Sequence, residues 1–251
     1  MLRSLVSRLP TRQHPETWLE LDKLRVVRPY RKTFRFPGRH IGRFHKKLAH
    51  APDGRMGVPG LIDIGVDGYL WKEEALKLYE IAYFARGDVL ELGTFRGLST
   101  SIIAHALHDR GSGKLITCDL DPASTEASRA NIAHLPGGDR IEFRASEGTT
   151  CMDSLIAAKR RFGMIFVDHW HGYEATREAA LRAEDLVSPG GFVLFHDYTD
   201  GNSADPSHPN KVYQGVRDTI ARSENFRFSQ ICASMGVFER VAPAKRSGPV
   251  H

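Results

Sequence analysis

The sequence predicts an α/β protein whose core is a doubly wound, mostly parallel, seven-stranded sheet with a terminal antiparallel hairpin. Between Asp88 and His196, short apolar runs alternate five times with segments of helical periodicity. This alternation is typical of consecutive βα units, whose parallel strands lie beneath helices on both faces. Further along, the apolar runs Phe226–Cys232 and Met235–Arg240 flank the short turn Ala233-Ser234, which predicts the hairpin.

The individual elements follow from periodicity and from the residues that interrupt it. Between Trp71 and Phe84, apolar side chains recur at helical spacing and predict an amphipathic helix ahead of the first strand. A turn is expected at Pro189-Gly190-Gly191. Apolar runs predict parallel strands at Asp88–Leu92, Lys114–Leu120, Ile141–Arg144, Met164–Asp168 and Phe192–His196. Helices are expected at Ser99–Asp109, Asp121–His134, Cys151–Lys159, Tyr173–Leu186 and Val212–Ser223.

Composition and charge divide the chain into three parts. Its 251 residues are 41% hydrophobic and 26% charged, which is typical of a soluble globular protein. Residues 1–56 hold 14 Lys/Arg and 4 Asp/Glu, a balance of +10, so the remainder carries −5. We therefore predict a basic N-terminal arm at 1–56 with a short helix at Glu16–Leu24, a globular domain at 57–241 and a loose polar tail at 242–251.

The charge of the arm favours contact with an anion, and a solvated tail is the alternative. An anionic small molecule, nucleic acid, a membrane surface or an acidic protein would each suit it. No apolar run approaches the roughly 18 residues that span a bilayer, so no transmembrane segment is expected. The sequence leaves both a monomer and an oligomer open.

Three cysteines, Cys118, Cys151 and Cys232, are few, odd in number and widely spaced. The spacing indicates neither a disulfide framework nor a zinc site, and it fits a reducing, cytoplasmic compartment. Met1–Pro10 lacks the long apolar stretch of a secretory signal, which supports the same localisation.

The segment Gly87–Ser101 carries the clearest ligand signal. It joins an apolar strand to a helix through a turn that begins at Gly93 and ends at Gly97, and Ser99 or Thr100 can cap the helix. Such a junction presents the free backbone N–H groups of a helix N-terminus to a small ligand. An ordinary βα turn without a ligand is the alternative.

The pattern of residues in this turn excludes two common ligands. A dinucleotide fingerprint needs glycine at its first, third and sixth positions, but Phe95 and Leu98 occupy the third and sixth. No G-K-[ST] follows, so a phosphate loop is also excluded. What remains is Glu91 two residues before Gly93, with Gly97 four residues after it.

This arrangement resembles motif I of the class I S-adenosylmethionine-dependent methyltransferases, which have a Rossmann-like sheet of the predicted kind. A carboxylate at Glu91 suits the cationic amino group of that cofactor, and the helix start with Ser99 suits its carboxylate. Asp119, at the end of the second strand, suits the two ribose hydroxyls, although Asp119 or Asp121 capping the next helix is the alternative. Ser146, after the third strand, would meet the adenine edge.

The fourth strand ends in F-V-D-H-W-H-G-Y, which resembles the same strand end in the catechol-type, metal-dependent O-methyltransferases and in the macrocin-type sugar O-methyltransferases. The resemblance covers about Ile64 to Arg240. It implies that Asp168 binds a metal, that His169 and Trp170 contact the adenine, and that His171 removes the substrate proton. The predicted cofactor residues are therefore Glu91, Gly93, Phe95, Gly97, Ser99, Asp119, Ser146, His169 and Trp170.

The fifth strand ends in F-H-D-Y, so His196 and Asp197 align with the Asp-Asn pair of the catechol-type enzymes. The resemblance implies a metal site at Asp168, His196 and Asp197, and a catalytic set of His171, Asp168 and His196. Carboxylates suit Mg²⁺, whereas an imidazole ligand moves the preference towards Mn²⁺, Fe²⁺ or Zn²⁺. His196 as a general base in a site without metal, or as a structural residue, is the alternative.

These residues predict an S-adenosylmethionine-dependent O-methyltransferase that acts on a hydroxyl of a small phenolic, sugar or natural-product molecule. Alignment of the acceptor oxygen, a His base and a divalent cation (Mg²⁺ or Mn²⁺) would each favour methyl transfer. A nucleic-acid methyltransferase that uses the basic arm is disfavoured, since Asp168-His169-Trp170-His171 replaces the (Asn/Asp)-Pro-Pro-aromatic turn of amino-group methyltransferases. A catalytically silent cofactor-binding module is the third hypothesis.

Overall fold

The computed structural model describes His14, residues 30–200, residue 205 and residues 207–241. The predicted helix Glu16–Leu24, most of the basic arm before Tyr30 and the predicted tail 242–251 lie outside these residues. Among the described residues, no helix combines the length and the apolar character needed to cross a membrane.

A single sheet organises the described chain, and its strands run in the order β3-β2-β1-β4-β5-β7-β6. The strands β1 to β5 pair in parallel, while β7 is antiparallel to both β5 and β6. The predicted fold class, a doubly wound and mostly parallel seven-stranded sheet with a terminal hairpin, is confirmed. The strands are β1 Asp88–Leu92, β2 Leu115–Asp119, β3 Ile141–Ala145, β4 Phe162–Val167, β5 Val187–Phe195, β6 Phe226–Cys232 and β7 Met235–Arg240.

Seven α-helices are described, and most of them connect consecutive strands. Short 3₁₀ turns lie at Arg55–Gly57, Gly138–Arg140 and Ile220–Arg222. The helices are α1 Arg43–His50, α2 Lys72–Phe84, α3 Leu98–Arg110, α4 Pro122–Ile132, α5 Gly148–Ala157, α6 Tyr173–Leu186 and α7 Val212–Arg217.

The predicted boundaries at two places differ most from the structure, each for a local reason. The turn expected at Pro189-Gly190-Gly191 lies inside β5, whose pairing with β4 skips from Val187 to Phe192 as a bulge that absorbs the extra residues. The helix expected at Val212–Ser223 ends at Arg217, because Thr219 leaves the helical backbone region at φ −130° and ψ −101°.

The core lies on both faces of the sheet, as the alternation of side chains along β4 shows. Met164 and Phe166 face one apolar cluster with α2 and α3, while Ile165 and Val167 face the other with α5 and α6. All four side chains are buried, as expected for a central parallel strand covered on both faces.

The described part of the predicted arm packs against this core. Phe34, Phe44 and Leu48 belong to the first apolar cluster. The carboxylate of the fully buried Glu80 on α2 accepts hydrogen bonds from the backbone N–H groups of Thr33 at 2.5 Å and Phe34 at 2.9 Å. The boundary between arm and domain at residue 56 stays a prediction.

The structure joins Cys118, in β2, to Cys151, in α5, by a disulfide, while the third cysteine, Cys232, is free and buried. The spacing of the cysteines did not indicate this pair, because the two residues are 33 positions apart and meet only when β2 and α5 pack together. A spacing argument carries no information about such a contact.

Candidate active site

The glycine turn after β1 has a backbone that requires its glycines. Gly93 has φ +97°, and a Cβ at this position would lie 2.0 Å from the carbonyl oxygen of Asp168. Gly97, which precedes α3, has φ +94°, and a Cβ there would lie 2.5 Å from Oγ of Ser128. The turn thus brings the end of β1 against the end of β4.

Glu91 and Asp119 stabilise this turn and the elements beside it through hydrogen bonds. The Glu91 carboxylate is fully buried, and its Oε2 accepts hydrogen bonds from the hydroxyls of Thr100 and Thr117, each at 2.7 Å. Burial raises the pKa of Glu91 to about 7. The Oδ2 atom of Asp119 accepts from the backbone N–H groups of Thr94 at 2.9 Å and Phe95 at 2.8 Å.

Three of the predicted metal and catalytic residues form one cluster. Asp168, His171 and His196 each offer a donor atom, and these atoms lie within 4.8 Å of one another. Oδ1 of Asp168 lies 3.0 Å from Nδ1 of His196 and 3.3 Å from Nε2 of His171. Asp197 lies beside them, with carboxylate oxygens 3.5 Å from Nδ1 of His196 and 3.8 Å from Nδ1 of His171. The ends of β4 and β5 therefore bring together the residues that the sequence singled out.

The electrostatics of the cluster lower the pKa of Asp168 and raise the pKa values of both neighbouring imidazoles. Burial alone would raise the pKa of Asp168, but the charges of His196 and His171 and the hydrogen bond with His171 lower it to about 2. Burial alone would lower the pKa of His196, but Asp168, Glu74 and Asp197 raise it well above its usual value. Burial lowers the pKa of His171, but the hydrogen bond to Asp168 and the negative charges of Asp168 and Asp197 together raise it above its usual value.

Two cavities meet at the glycine turn. The first, of about 330 Å³, is lined by the cluster, by Asp197, Gly93, Phe95 and Ser99, and by Gly68, Tyr69 and Leu70 from the segment ahead of α2. The second, of about 290 Å³, is lined by Asp119, Ser146, His169 and Trp170, and it shares Gly93, Phe95 and Asp168 with the first. Glu91 and Gly97 line neither cavity and support the turn instead.

The donors of the cluster fit a divalent cation. Nδ1 of His196 is buried and has no hydrogen-bond partner among the residues that the structure describes. Although Asp168 Oδ1 is only 3.0 Å from this nitrogen, it lies out of line for a hydrogen bond. A carboxylate and an imidazole that face the same point are the ligands that Mn²⁺, Fe²⁺ and Zn²⁺ share.

Sequence analysis missed Glu74, a fully buried residue of α2 whose Oε2 lies 3.2 Å from Nε2 of His196. The local pattern around it predicts only an amphipathic helix, because residues 74 and 196 are 122 positions apart. A charged residue on the apolar face of that helix is the one signal that could have drawn attention to it.

Comparison with known proteins adds family information to this geometry. Residues 90–198 match a family described as a methyltransferase domain. The chain is 29% identical over 133 residues to the catechol O-methyltransferase of Niastella koreensis, which covers 52% of this chain and 58% of that protein. It is 26% identical over 164 residues to catechol O-methyltransferase domain-containing protein 1 of Mus musculus, which covers 62% of this chain and 60% of that protein. The chain therefore spans less than two thirds of each of these relatives.

Among solved structures, the chain resembles the O-methyltransferase TomG from Streptomyces achromogenes, which is involved in tomaymycin synthesis and was crystallised with S-adenosylmethionine. The TM-score is 0.59 and the identity 22%, with 80% of this chain and 91% of TomG covered, so the likeness concerns the fold. The chain is therefore similar in sequence to methyltransferases over residues 90–198, and its fold is similar to that of an O-methyltransferase crystallised with S-adenosylmethionine.

Proposed function

We propose that this chain transfers a methyl group from S-adenosylmethionine to a hydroxyl oxygen of a small phenolic, sugar or natural-product molecule. The observation that carries the proposal is the cluster of Asp168, His171 and His196 in the wall of the cavity that Gly93 and Phe95 also line. A methyl donor at the glycine turn and an acceptor oxygen at the cluster would share this cavity. The two curated relatives, both named for catechol O-methyltransferase, support oxygen as the acceptor atom.

The residues around both cavities would hold the methyl donor. The N-terminus of α3 with Ser99 suits the carboxylate of the methionine part, because the helix dipole and free N–H groups favour an anion. Asp119 suits the ribose hydroxyls, since its side chain lines the second cavity beside the turn. In the same cavity, Ser146, His169 and Trp170 would enclose the adenine.

Asp168, His196 and Asp197 would hold a divalent metal, which supplies positive charge that lowers the pKa of a hydroxyl and orients it. His171 would accept the proton of that hydroxyl. Without a cation, the carboxylates of Asp168 and Asp197 raise the pKa of His171, which favours the protonated imidazole. Engagement of those carboxylates by a cation would reverse this effect and free His171 as a base.

We further propose that residues 1–56 serve as a basic arm of the methyltransferase domain 57–241, with residues 242–251 as a tail. Between residues 30 and 52 the chain contains seven Lys/Arg and no Asp/Glu, which suits an anionic acceptor or partner.

The test is a methyl-transfer assay on the full chain with S-adenosylmethionine and a panel of phenolic and sugar acceptors. We expect transfer to oxygen, loss of activity after treatment with a chelator, and recovery on addition of Mn²⁺ or Mg²⁺. Asp168→Asn should lower kcat/KM by at least about 100-fold, in keeping with losses seen when one electrostatic catalytic contact is removed. Full activity after chelation would contradict the metal site, and transfer to nitrogen alone would contradict the acceptor class.

A further inference from the structure

We propose that Glu74 is a positioning residue for the metal site, because its carboxylate determines which nitrogen of His196 faces the cation. This inference rests on the metal site of the proposed function and extends it to a helix outside the matched domain at residues 90–198. Glu74 belongs to α2, which precedes the first strand. Its side chain touches neither of the two cavities.

The carboxylate of Glu74 is surrounded by donors. Oε1 accepts hydrogen bonds from the backbone N–H of Ser234 at 2.9 Å and from its hydroxyl at 2.6 Å. Oε2 accepts from the backbone N–H of Trp71 at 2.9 Å and lies 3.2 Å from Nε2 of His196. Because an ionised carboxylate can only accept hydrogen bonds, Glu74 pairs with His196 when Nε2 of the imidazole carries a hydrogen.

The opposite edge of the imidazole faces the cluster. With the Nε2 hydrogen held by Glu74, Nδ1 is the nitrogen that remains for a cation. Nδ1 is buried, has no hydrogen-bond partner among the described residues and lies 3.0 Å from Oδ1 of Asp168. A carboxylate that holds the far nitrogen of a metal-binding histidine is a common way of fixing its orientation.

Glutamine at position 74 cannot reproduce these contacts. If its oxygen replaced Oε2, its NH₂ group would face the N–H of Ser234, donor against donor. If its oxygen replaced Oε1, its NH₂ group would face the N–H of Trp71 and would require Nε2 of His196 to accept. That reversal moves the ring hydrogen to Nδ1, where it blocks the cation.

The same helix supplies a matched control. Glu80 is also fully buried, and it binds Lys77 at 2.5 Å and the backbone of Thr33 and Phe34. These contacts involve neither His196 nor Asp168, so Glu80→Gln changes a buried carboxylate of α2 without changing the metal site.

The experiment measures Mn²⁺ binding to the full chain by the electron paramagnetic resonance signal of the free ion. We expect Glu74→Gln to weaken binding 10- to 100-fold, the usual effect of losing such an outer carboxylate, and Glu80→Gln to change it less than about twofold. Equal binding by wild type and Glu74→Gln would overturn the proposal, as would equal weakening by both variants. Failure of the wild-type protein to bind Mn²⁺ would overturn the metal site itself and this inference with it.

A second measurement needs no variant at position 74. In the Zn²⁺-loaded wild-type protein with ¹⁵N-labelled histidine, we expect His196 to bind through Nδ1 while Nε2 keeps its hydrogen. Binding through Nε2, with the hydrogen on Nδ1, would overturn the proposal even if Glu74→Gln failed to fold. The signal of His196 is identified by its loss in His196→Gln.

Discussion

At the scale of single residues, Gly93 is the position where an added methyl group has the clearest cost. Gly93→Ala would place a Cβ against the carbonyl of Asp168 and force alanine into the left-handed region. We expect a loss of about 2 kcal/mol or more in the free energy of unfolding, and weaker S-adenosylmethionine binding. Denaturant unfolding and calorimetry would measure the two effects.

Gly111 supplies the control for this substitution. Its φ is +76°, but a Cβ there would meet no atom within 4 Å. Gly111→Ala should therefore lose only about 1 kcal/mol, the cost of the left-handed backbone, and should leave cofactor binding unchanged. Equal losses for the two variants would show that contact with Asp168 does not matter.

The raised pKa of Glu91 predicts that the stability of the folded protein depends on pH. Burial raises its pKa from 4.5 in the unfolded chain to about 7 in the folded protein, so the folded state binds more protons between these values. The stability that this group contributes is therefore complete below about pH 4.5 and is lost as the pH rises through 7.

The measurement compares the free energy of unfolding at pH 5 and pH 8 for wild type and Glu91→Gln. We expect wild type to lose about 2.5 kcal/mol relative to the variant over this interval. Parallel changes in the two proteins would show that Glu91 titrates normally. Asp168 does not contribute to this difference in the free energy of unfolding, because its pKa of about 2 lies below the interval from pH 5 to pH 8.

At the scale of elements, the buried ion pair on α2 connects the preceding segment of the chain to this helix. Lys77 and Glu80 are both fully buried, and Nζ of Lys77 also donates to the carbonyl of Arg31 at 2.6 Å. Lys77→Met would leave the Glu80 carboxylate buried without its cation. We expect a loss of about 3 to 5 kcal/mol in the free energy of unfolding.

Lys72 lies on the same helix but is partly exposed. Lys72→Met is therefore a matched substitution, and its effect should stay within about 0.5 kcal/mol. Denaturant unfolding would measure the free energy of unfolding of both variants. A small loss for Lys77→Met would mean that the buried pair contributes little beyond packing.

At the scale of the whole molecule, charge is unevenly distributed between the arm and the domain. Within residues 30–52, Arg39, Arg43 and Lys47 are exposed. If this surface binds polyanions, replacing the three by Gln should reduce the salt dependence of binding to a random DNA duplex, by up to about 2.7 in the slope of log K against log salt. Fluorescence anisotropy at several salt concentrations would measure it.

The control variant removes three exposed cations from elsewhere, at Lys114, Lys159 and Arg222. We expect it to keep the wild-type slope. If both triple variants behave alike, the arm is only a solvated surface. Methyl transfer to a small uncharged acceptor should be unaffected in either variant, because none of the six residues lines the two cavities.

The sequence by itself determined the order and type of the elements from β1 to β7 and the residues at the strand ends. Apolar runs and glycine breaks are local patterns, and parallel strands place all their carboxyl ends at one edge of the sheet. These two facts predicted that Asp168, His171 and His196 lie at neighbouring strand ends, and the resemblance to metal-dependent O-methyltransferases implied that they form one site. The bulge within β5 was not predictable, since the skipped residues are visible only in the pairing with β4.

Only the tertiary structure decided which side chains touch. It bonded Cys118 to Cys151, placed Glu91 beneath the turn rather than in a cavity, and brought Glu74 to within 3.2 Å of His196. Each of these contacts joins elements that are distant along the chain. Their distances depend on how helices and strands pack, and no short pattern of residues records that packing.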